Sequence, residues 1–375
     1  MTLHSASTMQ LLRRIMPIGG QYPYDFHQEQ KSNKTFARYF DLEVSHRFFC
    51  SGREAFRWIL SQTKITPDPL LMPDYGCWSA LAPVLEKEKI PFELYSVDKN
   101  FKPVCVPEQL KKAGALSLVK YFGLVDHSAF AAFAKEINPD ITIILDNVPA
   151  LYDLRGAGKA SPWADWQYYS LRKWIAVPDG GLAVSMRGPV EQEDDIALAP
   201  YPYEAPWQEA AQMKFDYLFR DKTMNETHAA RFWDLYKTAE SMIKEQSGGI
   251  SALSARLIDT FPLADFAKIR RKNFLTLQKN WPSDASEIKP CFTALGPEDV
   301  PQYFVIAMPE KIRDSLQQYL FDQEIYPPVH WPEWNGYGAP LARTLLSLPI
   351  DQRYTGDDMH RVLGAIQKFA AGQGA

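Results

Sequence analysis

The chain has 375 residues, 46% hydrophobic and 23% charged, the balance of a globular protein with room for one large domain and a smaller one. A net charge of −4 leaves no basic footprint for nucleic acid, and no apolar run approaches the ~18 residues that span a bilayer. Cys50, Cys77, Cys105 and Cys291 stand far apart with no C-x-x-C pair, and the N-terminus lacks a signal-type apolar segment. Reduced thiols in a cytoplasm are expected, with no metal site.

Short apolar runs alternate with helical patterns from about residue 45 to 190. "RFFCSGREAFRWIL" ends a strand in Ser-Gly and opens an amphipathic helix with Phe56, Ile59 and Leu60 on one side. "DPLLMPDY" predicts a buried strand and "GCWSALAPVLEKEKI" a helix. "PFELYSVD" and "ALSLVKYFG" predict two strands, and "DHSAFAAFAKEIN" a helix. "ITIILDN" is an apolar strand that ends in an acid. "ADWQYYSL" and "GGLAVSM" predict two more strands. The alternation implies a mostly parallel sheet covered on both faces.

Beyond about residue 205 the pattern turns helical, with a stop at Gly248-Gly249. One long helical stretch then runs from "ALSARLIDTF" through "KNFLTLQKNW". The end alternates: "QYFVIAMP" as a strand, "EKIRDSLQQYLFDQEI" as a helix, "RTLLSLPID" as a strand, "GDDMHRVLGAIQKFA" as a helix. The expected division is a large domain over 1–245, with an N-terminal arm, and a small α+β domain over 246–375.

Ligands of open α/β sheets bind at the carboxyl ends of the strands, and three features fall there. "CSGREAF" places Ser51, Gly52, Arg53 and Glu54 at a helix start, where backbone N–H groups and an arginine can meet an anion; a plain N-cap by Ser51 is the alternative. Asp146 closes "ITIILDN", poorly solvated unless it meets a cation or a proton donor; capping the next loop is the alternative. Lys173 lies in "YYSLRKWIAVPDGG", three residues after Ser170. Desolvation would make its amine a nucleophile, whereas a lysine that reaches the surface needs no function. Taken together and in this order, an anion turn, a carboxylate and a buried lysine are what pyridoxal 5'-phosphate requires.

From about Ile18 to Phe369 the chain resembles the DegT/DnrJ/EryC1 family of sugar aminotransferases. The resemblance lies in "SGREAF", "LLMPDYGCWSALAPVLEKEKIPFELYSVD", "LVKYFG", "IILDN", "YSLRKWIAVPDGGLAV" and "LLSLPIDQRYT". It implies the fold-type I, aspartate aminotransferase-like architecture: a seven-stranded, mostly parallel sheet domain and a small C-terminal domain. It implies pyridoxal 5'-phosphate anchored on Lys173, with Asp146 on the pyridinium nitrogen, and a homodimer with sites at the interface. The chain departs from the family at several points. The stacking aromatic falls on Cys77, so Tyr75 or Trp78 could take that role. Pro149 follows Asp146 by three residues, and the spacing Ser170-x-x-Lys173 is short. The family's "N-x-R-M" segment is not recognisable, with Asn225 a loose candidate.

Tyr121, Arg172 and His330 are candidate substrate contacts. Arg172 could meet a carboxylate or diphosphate, or form a salt bridge. "IYPPVHWPEW" and the arm "PIGGQYPYDF" could line the site. The expected activity is transfer of an amino group from an amino acid such as glutamate to a keto acceptor, with a nucleotide-linked keto-sugar as the implied acceptor. Another pyridoxal phosphate reaction on an amino acid (decarboxylation, elimination, racemisation or C–C bond formation) and a silent binding relative are the alternatives.

Overall fold

A computed structural model describes residues 16–27, 35–63, 65, 67–104, 106–155, 161–189, 200–220, 226–335 and 340–373. An arm strand, β1 (Ile18–Gly19), and a short helix, α1 (Phe36–Phe40), precede the main sheet. Then follow β2 (Ser45–Phe49), α2 (Gly52–Ser61), β3 (Leu70–Pro73), α3 (Trp78–Lys87), β4 (Phe92–Val97) and β5 (Pro103–Val104). The alternation continues through α4 (Pro107–Lys112), β6 (Ala115–Val119), α5 (Ser128–Ile137), β7 (Thr142–Asp146), β8 (Trp166–Ser170) and β9 (Gly181–Ser185).

The sheet order is β2-β9-β8-β7-β6-β3-β4-β5. Six strands run parallel; β9 is antiparallel to both of its neighbours, and β5 is antiparallel to β4. The seven expected strands are all present. The eighth, β5, is a two-residue edge pairing, too short to leave a periodic signal. All five residues of β7 are buried, as a central parallel strand requires. Side chains alternate between its faces: Ile143 and Leu145 join Leu116 and Leu118 under α5, while Ile144 joins Met72 and Phe56 under α2.

Register brings the functional ends together. Val119, Asp146 and Tyr168 are neighbours across β6, β7 and β8. Gly181 of β9 faces Ser170 on one side and Phe49 on the other. A Cβ at Gly181 would lie 2.0 Å from the Ser51 carbonyl oxygen, so only glycine lets the Ser51 turn close over β9.

Two helices follow, α6 (Glu204–Phe219) and α7 (Glu226–Glu245), then α8 (Ala252–Leu257) and α9 (Leu263–Lys279). The predicted single helix over α8 and α9 is broken. Phe261 is extended because it precedes Pro262, which disfavours helical backbone before it. Leu253, Leu257, Phe261 and Leu263 pack with Tyr169, Leu171, Leu182 and Val184 of the main sheet region.

A three-stranded antiparallel sheet then forms in the order β10 (Lys289–Pro290), β11 (Tyr303–Ala307) and β13 (Leu345–Pro349). Between these strands lie α10 (Glu310–Asp322), β12 (Ile325–Tyr326) and α11 (Leu341–Thr344), and α12 (Gly356–Gln373) ends the chain. Phe274, Phe304, Leu316, Leu346 and Val362 form its core. The arm joins this unit: Ile18 is part of the same core, and β1 pairs in parallel with β12. No helix among the described residues is long and apolar enough to cross a membrane.

Candidate active site

The site is built on the carboxyl ends of β7 and β8 and on the turn that opens α2. Ser51 is the N-cap of α2; its hydroxyl oxygen accepts from the Glu54 N–H at 3.1 Å. The cap reading therefore holds. It is compatible with anion binding, because the first turn of a helix leaves further N–H groups unpaired inside the helix. A Cβ on Gly52 would stand 3.2 Å from Ser170 Cβ, so the turn lies directly on the end of β8. Arg53 has no ion-pair partner among the described residues, and its charge reaches Arg172. Glu54 is committed elsewhere. Its carboxylate takes two bonds from Arg57, at 2.6 and 2.8 Å, and one from the Gly248 N–H at 3.3 Å.

Asp146 is buried at the tip of β7. One carboxylate oxygen accepts from the Val148 N–H at 2.9 Å, and no cation pairs with it among the described residues. Burial lifts its pKa to about 6, against the pull of Tyr168 and of the Val148 N–H. The Tyr168 hydroxyl acts on this carboxyl electrostatically, although no hydrogen bond to it meets the geometry.

Lys173 ends a single helical turn after β8. The structure corrects the expected burial: the Lys173 side chain is exposed at the mouth of a cavity, although the surrounding protein still desolvates its amine. Burial and the Arg172 charge push its pKa down, and Cys77 opposes them. Arg172 itself is largely buried and ion-paired with Glu240 of α7. The loop that returns the chain to β9 is held by Asp179. That carboxylate accepts from the Ser251 N–H and hydroxyl, at 2.9 and 2.8 Å, and from the Tyr203 hydroxyl at 2.7 Å.

Of the three candidates for the ring-facing position, only Cys77 feels both Lys173 and Asp146; burial, its largest influence, raises its thiol pKa. Trp78 packs in the core against Phe92, 5.8 Å between centroids. Tyr75 stacks on Tyr121 at 5.5 Å, and its hydroxyl donates to the His330 carbonyl. Tyr121 donates to the Tyr75 carbonyl at 2.6 Å and lies within electrostatic reach of Asp146. His330 Nδ1 is 2.9 Å from the Ser347 hydroxyl; burial and the Lys173 charge lower its pKa to about 3, so the ring stays neutral. Asn225 lies outside the described residues.

A cavity of about 400 Å³ opens beside Lys173 and Arg172. Gly19, Gly20 and Tyr22 of the arm, Trp207, Tyr303 and Arg353 form much of its wall. The arm and the Pro327-Pro328 end of the aromatic loop line it; of the expected site residues Lys173 and Arg172 do so, whereas Ser51, Cys77, Tyr121, Asp146, Ser170 and His330 do not. Tyr168, Glu240, Asp179 and Arg353 were not foreseen. Tyr168 alone had a signal: it sits two residues before Ser170, hence on the same strand face. No group of three metal-ligating side chains occurs among the described residues.

No family model matches the chain, and no curated protein matches it in sequence. Solved structures do. A putative sugar aminotransferase, Spr1654 from Streptococcus pneumoniae in its PMP form, is 14% identical, with TM-score 0.63 over 95% of this chain and 99% of that one. The aminotransferase TlmJ from Streptoalloteichus hindustanus is 16% identical, with TM-score 0.60 over 92% and 93%. A DegT DnrJ EryC1 StrS aminotransferase from Brucella abortus is 16% identical, with TM-score 0.55 over 89% and 88%. The chain thus has the fold of these aminotransferases, in agreement with the expected fold-type I architecture.

Proposed function

We propose that the protein is a pyridoxal 5'-phosphate-dependent aminotransferase that moves an amino group from an amino acid, glutamate foremost, to a keto-sugar carried on a nucleotide. The observation that carries this reading is the register that sets the cation-free Asp146 carboxylate at the end of β7 beside β8, whose end carries Ser170 against the Ser51 turn and leads into Lys173. These residues fit the cofactor: a buried carboxylate with no cation of its own accommodates a pyridinium nitrogen, and Ser51, Gly52, Arg53 and Ser170 accommodate a phosphate. When bound, the cofactor supplies an aldehyde and an electron sink.

The chain's own residues supply the rest. Lys173, with its pKa held down, is the covalent anchor and the base that moves the proton from the donor carbon. Asp146 would keep a bound pyridinium nitrogen protonated, and Cys77 would face the ring. Neutral His330 and Tyr121 fix the opposite wall through Ser347 and Tyr75. Arg172 stays with Glu240 and sets the charge beside Lys173. The reading includes a homodimer; Phe219 and Trp233, about half exposed on α6 and α7, offer it an apolar face.

The test is an amino-acid panel with 2-oxoglutarate omitted and pyridoxal phosphate bound. Stoichiometric keto acid with no carbon dioxide and no second fragment is expected. Release of carbon dioxide, or racemisation without keto acid, would replace transamination with another reaction of the cofactor.

A further inference from the structure

Lys214 has no part in that chemistry, and its surroundings are unusual for a lysine. It lies on α6 seven residues after Trp207 and three after Ala211, so it shares their inward face. Trp207 is part of the cavity wall. The Lys214 amine reaches the arm: a Cβ at Gly20 would stand 3.0 Å from Nζ, and Gly20 borders the same cavity. The glycine therefore makes room for the amine.

Asp351 is the carboxylate whose charge reaches it, and that group is already engaged. Asp351 is gripped by Arg353 through two bonds, at 2.7 and 2.8 Å. The same arginine donates to the Gly19 and Gln21 carbonyls, at 3.3 and 2.8 Å, and stacks over Tyr22 at 4.6 Å. Among the described residues Lys214 has no hydrogen-bond or ion-pair partner. Burial and the Arg353 charge push its pKa down to about 7. A desolvated cation beside an arginine is costly unless an anion joins it.

We propose that Lys214, framed by Gly20 and Arg353, is an oxyanion subsite of the cavity that receives a carboxylate or phosphate group of the substrate bound at Lys173. The inference rests on the reading of Lys173 as the reacting centre. It deepens that reading by assigning the arm side of the cavity to the substrate's charged end. Gly20 and Arg353 share the cavity wall with Lys173, so a bound oxyanion there would orient the substrate along the cavity.

The test uses calorimetry on the full-length protein saturated with pyridoxal phosphate, so that the Ser51 turn is filled. Glutarate and uridine diphosphate are titrated separately. At least one should bind to the wild type, and Lys214→Met should weaken it about tenfold, the scale of one charge-assisted contact. Lys214→Arg should restore most of the affinity. Glutarate alone assigns the subsite to a carboxylate; uridine diphosphate alone assigns it to a diphosphate. Lys214→Met should also melt no lower than the wild type, because it removes an unpaired buried charge. Binding of neither probe, or equal binding to the Met variant, overturns the inference. Cofactor loading in that variant is read separately by its absorbance, so a failure here leaves the assignment of Lys173 standing.

Discussion

Lys173 borders the cavity, Lys214 lies against Gly20 of its wall, and the surrounding protein lowers the pKa of both amines. They are built in different ways. Lys173 is placed by strand register: β7, β8 and β9 align Asp146, Ser170 and Gly181, and the turn after β8 carries the lysine. Lys214 is placed by a helix face and an arm that come from distant parts of the chain. The first arrangement uses the rigid ends of a buried sheet, suited to holding a reacting atom. The second borders an arm pinned by Arg353 and Tyr354, suited to receiving a substrate. The proposed chemical and recognition centres can thus be broken separately.

The largest expected effect is at Asp146. Asp146→Asn should lower transaminase turnover by about 10²- to 10³-fold, since the ring partner loses its countercharge. The same variant reports on stability in the cofactor-free protein. The folded carboxyl holds its proton up to about pH 6, against an ordinary value of 3.8, so its raised pKa costs stability as pH rises from about 4 through 6. Asp146→Asn removes that cost. It should be the more stable protein at pH 8, by roughly 2–3 kcal/mol, and converge with the wild type toward pH 4 in urea melts. Wild-type stability equal to the variant's at both pH values would mean that Asp146 is not desolvated.

Gly181→Ala comes next. A methyl group 2.0 Å from a backbone oxygen must push the Ser51 turn off β9, at a cost of about 3 kcal/mol. The expected result is a lower melting temperature together with weaker cofactor retention, read by thermal denaturation and absorbance. A fully loaded, wild-type-like melt would separate the turn from the strand it rests on. The Lys214 variants, with their tenfold shift in anion affinity, are the smallest effect and test only the recognition centre.

The chemical centre was largely legible in the sequence for a physical reason. Buried parallel strands leave unbroken apolar runs, and the residue that ends each run is the residue at the site. By this rule "ITIILDN" put Asp146 at the end of β7 and the next run put Ser170 at the end of β8, where the structure has them. The local motif "SGREAF" located the turn, although Glu54 proved to serve Arg57 and Gly248 instead of a ligand. The stacking position stayed open among Tyr75, Cys77 and Trp78 because the turn after β3 has no periodicity; packing sends Trp78 into the core. Lys214 on α6 looks like any solvated lysine until the arm is laid against it. Glu240 and Asp179 are likewise defined by partners 68 and 72 residues away.

Borohydride reduction of the protein loaded with pyridoxal phosphate, followed by peptide mapping, tests the assignment of the two lysines most directly. The surrounding protein lowers the pKa of both amines, so the experiment is a choice between them. The pyridoxyl group is expected on the peptide that contains Lys173, with Lys173→Ala abolishing the yellow band and Lys214→Met leaving it intact. A label on Lys214, or none on either lysine, would contradict the account.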